Sequence, residues 1–230
     1  MNTKITATLC VGVFSLGLAA SAEATLISRL GGLAVYDTDL NITWLADANA
    51  GAGSAFDDGG SASDGRMTWN NANAWAASLT VGGFSDWRLP TTPQFQASCD
   101  SQNTFAGNSS GFNCTESEMG HLYYIELGAL AGPPFATTAD PTELAKFVNI
   151  QPYFYWTGTL RNAGVAWDFT WLSSNNSGYT QANGTSNFFN AFAVRDGDVE
   201  SSEDVPEPTT LALLGLGLAG LGFRAKRKPH

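Results

Sequence analysis

Two histidines, His121 and His230, are the only imidazoles in the 230 residues, and they limit the chemistry the chain can offer. A Ser-His-Asp triad would have to use His121, which lies between Met119 and Leu122 in an amphipathic run; a packed or capping histidine is the better reading. A zinc site needs three or four His, Cys or carboxylate ligands, and the cysteines available to a mature body are Cys99 and Cys114 alone, because Cys10 falls in an N-terminal apolar run. Gly51-Ala52-Gly53 follows no strand and opens no helix, so it does not make a phosphate loop. The pairs Asp37/Asp39, Asp57/Asp58 and Asp196/Asp198 each suit a solvated turn. Asp47-Ala48-Asn49 and Asp196-Gly197-Asp198 could offer oxygens to calcium, but such a site gathers about six to eight of them. No catalytic residue, metal ligand or cofactor is therefore assigned, and calcium is the one ion left open. Arg88, beside Trp87, reads as a structural arginine bonding backbone carbonyls or a carboxylate. Most of the seven tryptophans are spaced as core residues. Trp171, next to the polar loop 173–178, is the surface candidate, and with Asn175 and Asn176 it forms the candidate ligand-binding set: a ring to stack on a sugar and two amides to hydrogen-bond it. The asparagines equally suit turn formers.

The elements that must position these residues lie between two specialised ends. Lys4, the apolar run Leu9–Ala20 and the small residues around Ala22-Glu23-Ala24 form an export signal over residues 1–24, with cleavage expected after Ala24 or Ala22. The run is too short to span a bilayer as a helix. In an oxidising compartment Cys99 and Cys114, with Asp100 to Asn113 between them, pair most simply as a disulfide; two free buried thiols are the alternative. At the other end, residues 201–230 comprise an acidic linker, the segment Val205-Pro206-Glu207-Pro208-Thr209-Thr210, an apolar stretch 211–223 and a basic end 224–228. The two prolines hold an extended segment that a membrane protease could grip. The apolar stretch is marginal for a bilayer, and the basic cluster favours the cytoplasmic side.

The body, residues 25–200, reads as one domain. Between residues 25 and 208 there are 20 Asp/Glu against 6 Lys/Arg, a net charge of −14, which repels phosphate backbones and anionic headgroups and excludes nucleic acid as a partner. Leu33–Tyr36 and Ile42–Leu45 around Asp37-Thr38-Asp39 predict a hairpin. Asp47–Arg66 predicts a long loop, and Trp69, Ala72, Ala76 and Leu79 behind Thr68 predict a helix. Capping boxes predict two more helices, from Thr91 (with Gln94) and from Thr115 (with Glu118), the latter ending at Gly128. Tyr153–Gly158, Val165–Trp171 and Asn190–Arg195 predict strands, and the alternation in the second predicts a strand buried on one face. Helices early and strands late predict an α+β fold with an antiparallel sheet.

Two resemblances follow from these motifs. The tail, with Pro206, Glu207 and Pro208 before an apolar segment and a basic end, closely resembles the PEP-CTERM sorting signals of Gram-negative bacteria. That resemblance implies recognition by an exosortase, transient anchoring in the inner membrane, and delivery to the cell surface or extracellular matrix. Gly83-Phe84-Ser85-Asp86-Trp87-Arg88-Leu89-Pro90-Thr91, supported by Ile42–Leu45, Tyr155–Gly158 and Ala193–Gly197, resembles the Lcl C-terminal type of bacterial domain over about residues 33–199. It implies a C-type-lectin-like or sulfatase-modifying-factor-like α+β fold and, in some members, adhesion to polysaccharide. Cysteines that the family often carries near the last arginine and in the first helix are absent, so a Cys99–Cys114 bridge would be local. The implied function is a non-catalytic exported protein for adhesion or exopolysaccharide binding. The alternative is a secreted carbohydrate-active enzyme using an unidentified carboxylate pair.

Overall fold

The computed structural model describes residues 25–199 apart from 62 and 104–107. The export signal and the sorting tail lie outside the described residues. The fold is one compact α+β domain. The expected hairpin is present as β2 (Ala34–Asp37) and β3 (Ile42–Leu45), paired antiparallel with Asp37 opposite Ile42. β1 (Leu26–Arg29) flanks it on one side. On the other side the last strand of the body, β11 (Val194–Asp196), pairs antiparallel with β3, so the beginning and end of the domain share one four-stranded sheet.

A second, five-stranded sheet runs β4-β10-β7-β8-β9, made of β4 (Arg66–Met67), β10 (Phe189–Ala191), β7 (Phe154–Asn162), β8 (Val165–Thr170) and β9 (Thr180–Gly184). It is mixed, because β10 runs parallel to β7; the remaining strands, β5 (Ser101–Asn103) and β6 (Asn108–Ser110), pair antiparallel as a separate two-stranded sheet. The expected strand 190–195 is in fact two strands, β10 and β11, one in each sheet; the chain crosses between them at Phe192-Ala193. Strands therefore occur at both ends of the sequence, and the helices lie between. β8 is buried on both faces: Phe169, with Trp171 just beyond the strand, enters one apolar cluster and Ala166 the other. Packing on both sides replaces the one-sided burial expected from its alternation.

Helix α1 (Trp69–Ser78) forms as expected and buries Ala72, Trp75 and Ala76. Thr68 precedes it, but its hydroxyl and its N–H both donate to Asp58 and not into the helix. No helix forms at Thr91. The segment's polar groups find distant partners instead: Thr92 N–H donates to the Thr159 hydroxyl, and Gln94 reaches the Leu160 carbonyl and the Trp167 indole. Local capping loses to tertiary hydrogen bonds. The next helix, α2 (Glu118–His121), starts two residues later than expected because Ser117, not Thr115, caps it, accepting from Gly120 N–H. It continues as a π-helical turn, Leu122–Glu126. Gly128, at φ +58°, ends it as expected. Short helices α3 (Phe135–Thr138) and α4 (Pro141–Leu144) follow. Among the described residues no helix is long and apolar enough to cross a membrane.

Candidate functional site

Asp37 closes the β2–β3 hairpin. Its Oδ1 accepts the backbone N–H groups of Asp39 and Leu40 at 3.1 and 3.0 Å, the ordinary work of an aspartate in a turn. The period of two along β2 puts Asp37 on the same face as Val35, and that face meets the core cluster containing Leu122, Tyr123 and Trp44. Its second oxygen, Oδ2, is buried there with no hydrogen bond.

The helix opposite supplies two more groups. His121 Nε2 lies 3.4 Å from Glu126 Oε1 and 3.9 Å from Asp39 Oδ2, yet neither Nε2 nor Oε1 makes a hydrogen bond. Glu126 stands five positions after His121, a spacing that an α-helix would place well round its circumference. The π-helical turn closes its bond from Leu127 N–H to the Leu122 carbonyl and so aligns positions five apart. The helix is also held close to the Cys99–Cys114 disulfide. A Cβ at Gly120 would meet the Cys114 carbonyl at 1.9 Å, so only glycine allows this approach.

One ligand atom from each of Asp37, His121 and Glu126 falls within 4.8 Å of the others. Burial pushes the Asp37 carboxyl above the usual carboxylate range, with Glu126 adding to the effect. Burial opposes the His121 imidazolium, but the carboxylates of Glu126, Asp37 and Asp39 together outweigh it and raise its pKa. The Trp44 indole N–H faces the Asp37 carboxyl.

A second buried carboxylate lies elsewhere. Asp168 on β8 is wholly buried, and both its oxygens are occupied: Gln181 donates to one at 3.1 Å and Asn183 to the other at 2.8 Å. Burial nevertheless raises its pKa to about 7.

The candidates named from sequence distribute differently. Trp171 is 0% exposed; its ring packs edge-on against Tyr123 and Phe135. It is a core residue that no sugar can reach, because the polar loop begins beyond it while the ring itself turns inward. Asn175 and Asn176 are exposed in that loop. Asn176 adopts φ +101°, and its backbone joins Gly132 and the Thr170 hydroxyl. Among the described residues the exposed rings are instead Phe95 and Phe188, at 45% and 42%. Cys99 and Cys114 are bonded. Arg88 holds Glu118 through two bonds of 2.8 Å, and also bonds Asp196 and the Leu89 carbonyl. Asp198 pairs with Arg29, and Asp47 accepts from Asn49 and Asn149.

Asp37 and Glu126 were not singled out from sequence as partners of His121. The hairpin motif explains Asp37 without a second role, and only a π-helical turn brings Glu126 onto the histidine. No curated protein and no solved structure matches the chain. Residues 204–228 match the PEP-CTERM protein-sorting motif, so the protein is exported through the inner membrane to the cell surface or extracellular space of a Gram-negative bacterium, with an exosortase as its processing partner. Residues 33–195 match the model of the Lcl C-terminal domain, and the chain belongs to that family.

Proposed function

We propose that the body is a non-catalytic surface or matrix protein that binds uncharged or weakly charged polysaccharide. The observation that carries this reading is the placement of charge. The body's cations are engaged within the fold: Arg29 with Asp198, Arg88 with Glu118 and Asp196, Arg195 with Asp86, Lys146 with Glu143, and Arg66 and Arg161 over the rings of Tyr153 and Trp167. Apart from the buried Asp37, Asp57, Glu126 and Asp168, the carboxylates of the described residues are exposed or half-exposed and outnumber the cations, which disfavours a polyanion. A neutral sugar would meet the ring of Phe95, or that of Phe188 with the Asn187 amide next to it. Such contacts are individually weak, so many displayed copies would supply the avidity.

The alternative, a secreted carbohydrate-active enzyme, has one observation in its favour: Asp168 holds its proton near neutrality, in the range of a general acid. Its burial and its two amide partners favour a structural role. A polysaccharide array run beside a hydrolase panel tests both. Retention on neutral polymers without turnover is expected; binding confined to sulfated or uronic polymers overturns the reading, and turnover abolished by Asp168→Asn favours the enzyme. We also propose that the exosortase removes the tail, so mass spectrometry of the exported form should find a C-terminus near 206–209; an intact Lys228 overturns that.

A further inference from the structure

We propose that Asp37, His121 and Glu126 bind a divalent first-row transition cation, with Zn²⁺ the best fitted. The inference is independent of the polysaccharide reading. Three protein ligands of mixed nitrogen and oxygen type converge from two elements, the β2–β3 hairpin and the helix through α2 and the π-helical turn.

Each of the three residues holds a buried atom that makes no hydrogen bond, although the Trp44 indole N–H faces the Asp37 carboxyl. Asp37 Oδ1 already accepts two backbone N–H groups, which leaves Oδ2. His121 Nε2 and Glu126 Oε1 are likewise buried and make no hydrogen bond. The Glu126 side chain is only 1% exposed. Buried polar groups are hydrogen-bonded in the great majority of cases; each of these residues carries an unpartnered atom, and one ligand atom from each lies within 4.8 Å of the others, which points to a missing common partner. A cation satisfies all three at once, because carboxylate oxygen and neutral imidazole nitrogen each bring a lone pair.

Ligand type selects the ion, and the one ligand–ligand distance known agrees with it. Two ligands each about 2.0–2.1 Å from a tetrahedral ion stand roughly 3.4 Å apart, the separation of His121 Nε2 and Glu126 Oε1. Imidazole suits zinc and its neighbours, whereas calcium needs about six to eight oxygens. Three protein ligands leave a fourth position. Asp39, its side chain 37% exposed and 3.9 Å from His121 Nε2, stands on the solvent side, where it can complete the set or border a bound water.

The test uses the purified exported protein stripped with chelator. Because His121 and His230 are the only histidines, selective ¹⁵N-histidine labelling reads the site directly in the wild type. Zn²⁺ is expected to shift the Nε2 resonance of His121, with one Zn²⁺ per chain in calorimetry. Glu126→Gln, which keeps the shape of the side chain, should weaken binding by about tenfold or more with unchanged near-ultraviolet circular dichroism, and His121→Gln should remove it. No His121 shift in the wild type, a preference for Ca²⁺ over Zn²⁺, or undiminished Zn²⁺ binding by both variants overturns the proposal. If Glu126→Gln fails to fold, the wild-type resonance still decides.

Discussion

Asp168 and the Asp37–Glu126 pair are all buried carboxyls, and they solve burial in opposite ways. In the five-stranded sheet, the strand opposite Asp168 places two amides against it, and each donates to a different oxygen. Amides cannot lend a proton or leave, so this is a closed arrangement in which the carboxyl holds its own proton up to a pH of about 7. At the four-stranded sheet, Asp37 and Glu126 face a histidine and keep unbonded oxygens. That arrangement stays open to a ligand. A strained or buried polar group is thus informative only with its partners counted: the more strongly perturbed carboxyl is the structural one.

The largest effect should come from removing the closed site's charge. The folded-state pKa of Asp168 lies above its unfolded value, so the folded form binds the proton more tightly. Its contribution is complete below about pH 4 and is lost as pH rises to about 7, a change of roughly 4 kcal/mol at most. Asp168→Asn cannot lose it. The stability of the variant relative to wild type, measured by denaturant titration, should therefore rise from pH 4 to 7 and level off above. A flat difference would show that Asp168 ionises normally and that the contrast between the two sites is wrong.

Removing the disulfide should act on the other region. The bond restrains the loop leading into α2, which carries His121, and its loss through a Cys99→Ser/Cys114→Ser double variant should cost about 3 kcal/mol. The pH-dependent contribution of Asp168 should survive in that variant, while Zn²⁺ affinity falls. Equal damage to both regions would mean that they fold and respond as one unit.

Much of this architecture was legible in sequence because its determinants are local. The 34–45 hairpin follows from alternating apolar residues around an Asp-rich turn, and α1 follows from helical spacing of Trp69, Ala72 and Ala76. The disulfide was legible because two cysteines had no other partner. The missing helix at Thr91 was not, since Gln94 finds its partners on strands far along the chain. Trp171 misled for a related reason: polar neighbours in sequence do not fix the direction of a ring at the end of a doubly covered strand. His121 was visible only as a lone histidine. Its two carboxylate partners depend on a π-helical turn and on the hairpin's placement, and neither leaves a periodic trace.

Zinc sharpens the contrast from the ligand side. At a free concentration of a hundred times Kd, an ion bound only by the folded state stabilises it by about 2.7 kcal/mol. Wild type should melt higher with Zn²⁺, Glu126→Gln should not, and Asp168→Asn should respond as wild type does. A zinc response lost in Asp168→Asn but kept in Glu126→Gln would reverse the assignment of open and closed sites.

The smallest effect is expected at Asn176, in the loop that joins the two strands around Asp168. Its φ of +101° is a conformation that side-chain-bearing residues rarely adopt, and glycine adopts it without penalty. The bonds that define the turn use its backbone, N–H to Gly132 and carbonyl from the Thr170 hydroxyl, and Asn176→Gly keeps both. Glycine relieves the conformation but also gains freedom in the unfolded chain, and the two partly cancel, so the change in stability should stay within about 1 kcal/mol. The same variant on a polysaccharide array separates turn former from ligand contact. Unchanged retention assigns Asn176 to the turn and leaves the rings of Phe95 and Phe188 as the surfaces to mutate next. Lost retention at unchanged stability would show that its exposed amide touches the polymer, and that this loop is functional while the buried carboxyl beneath it is structural.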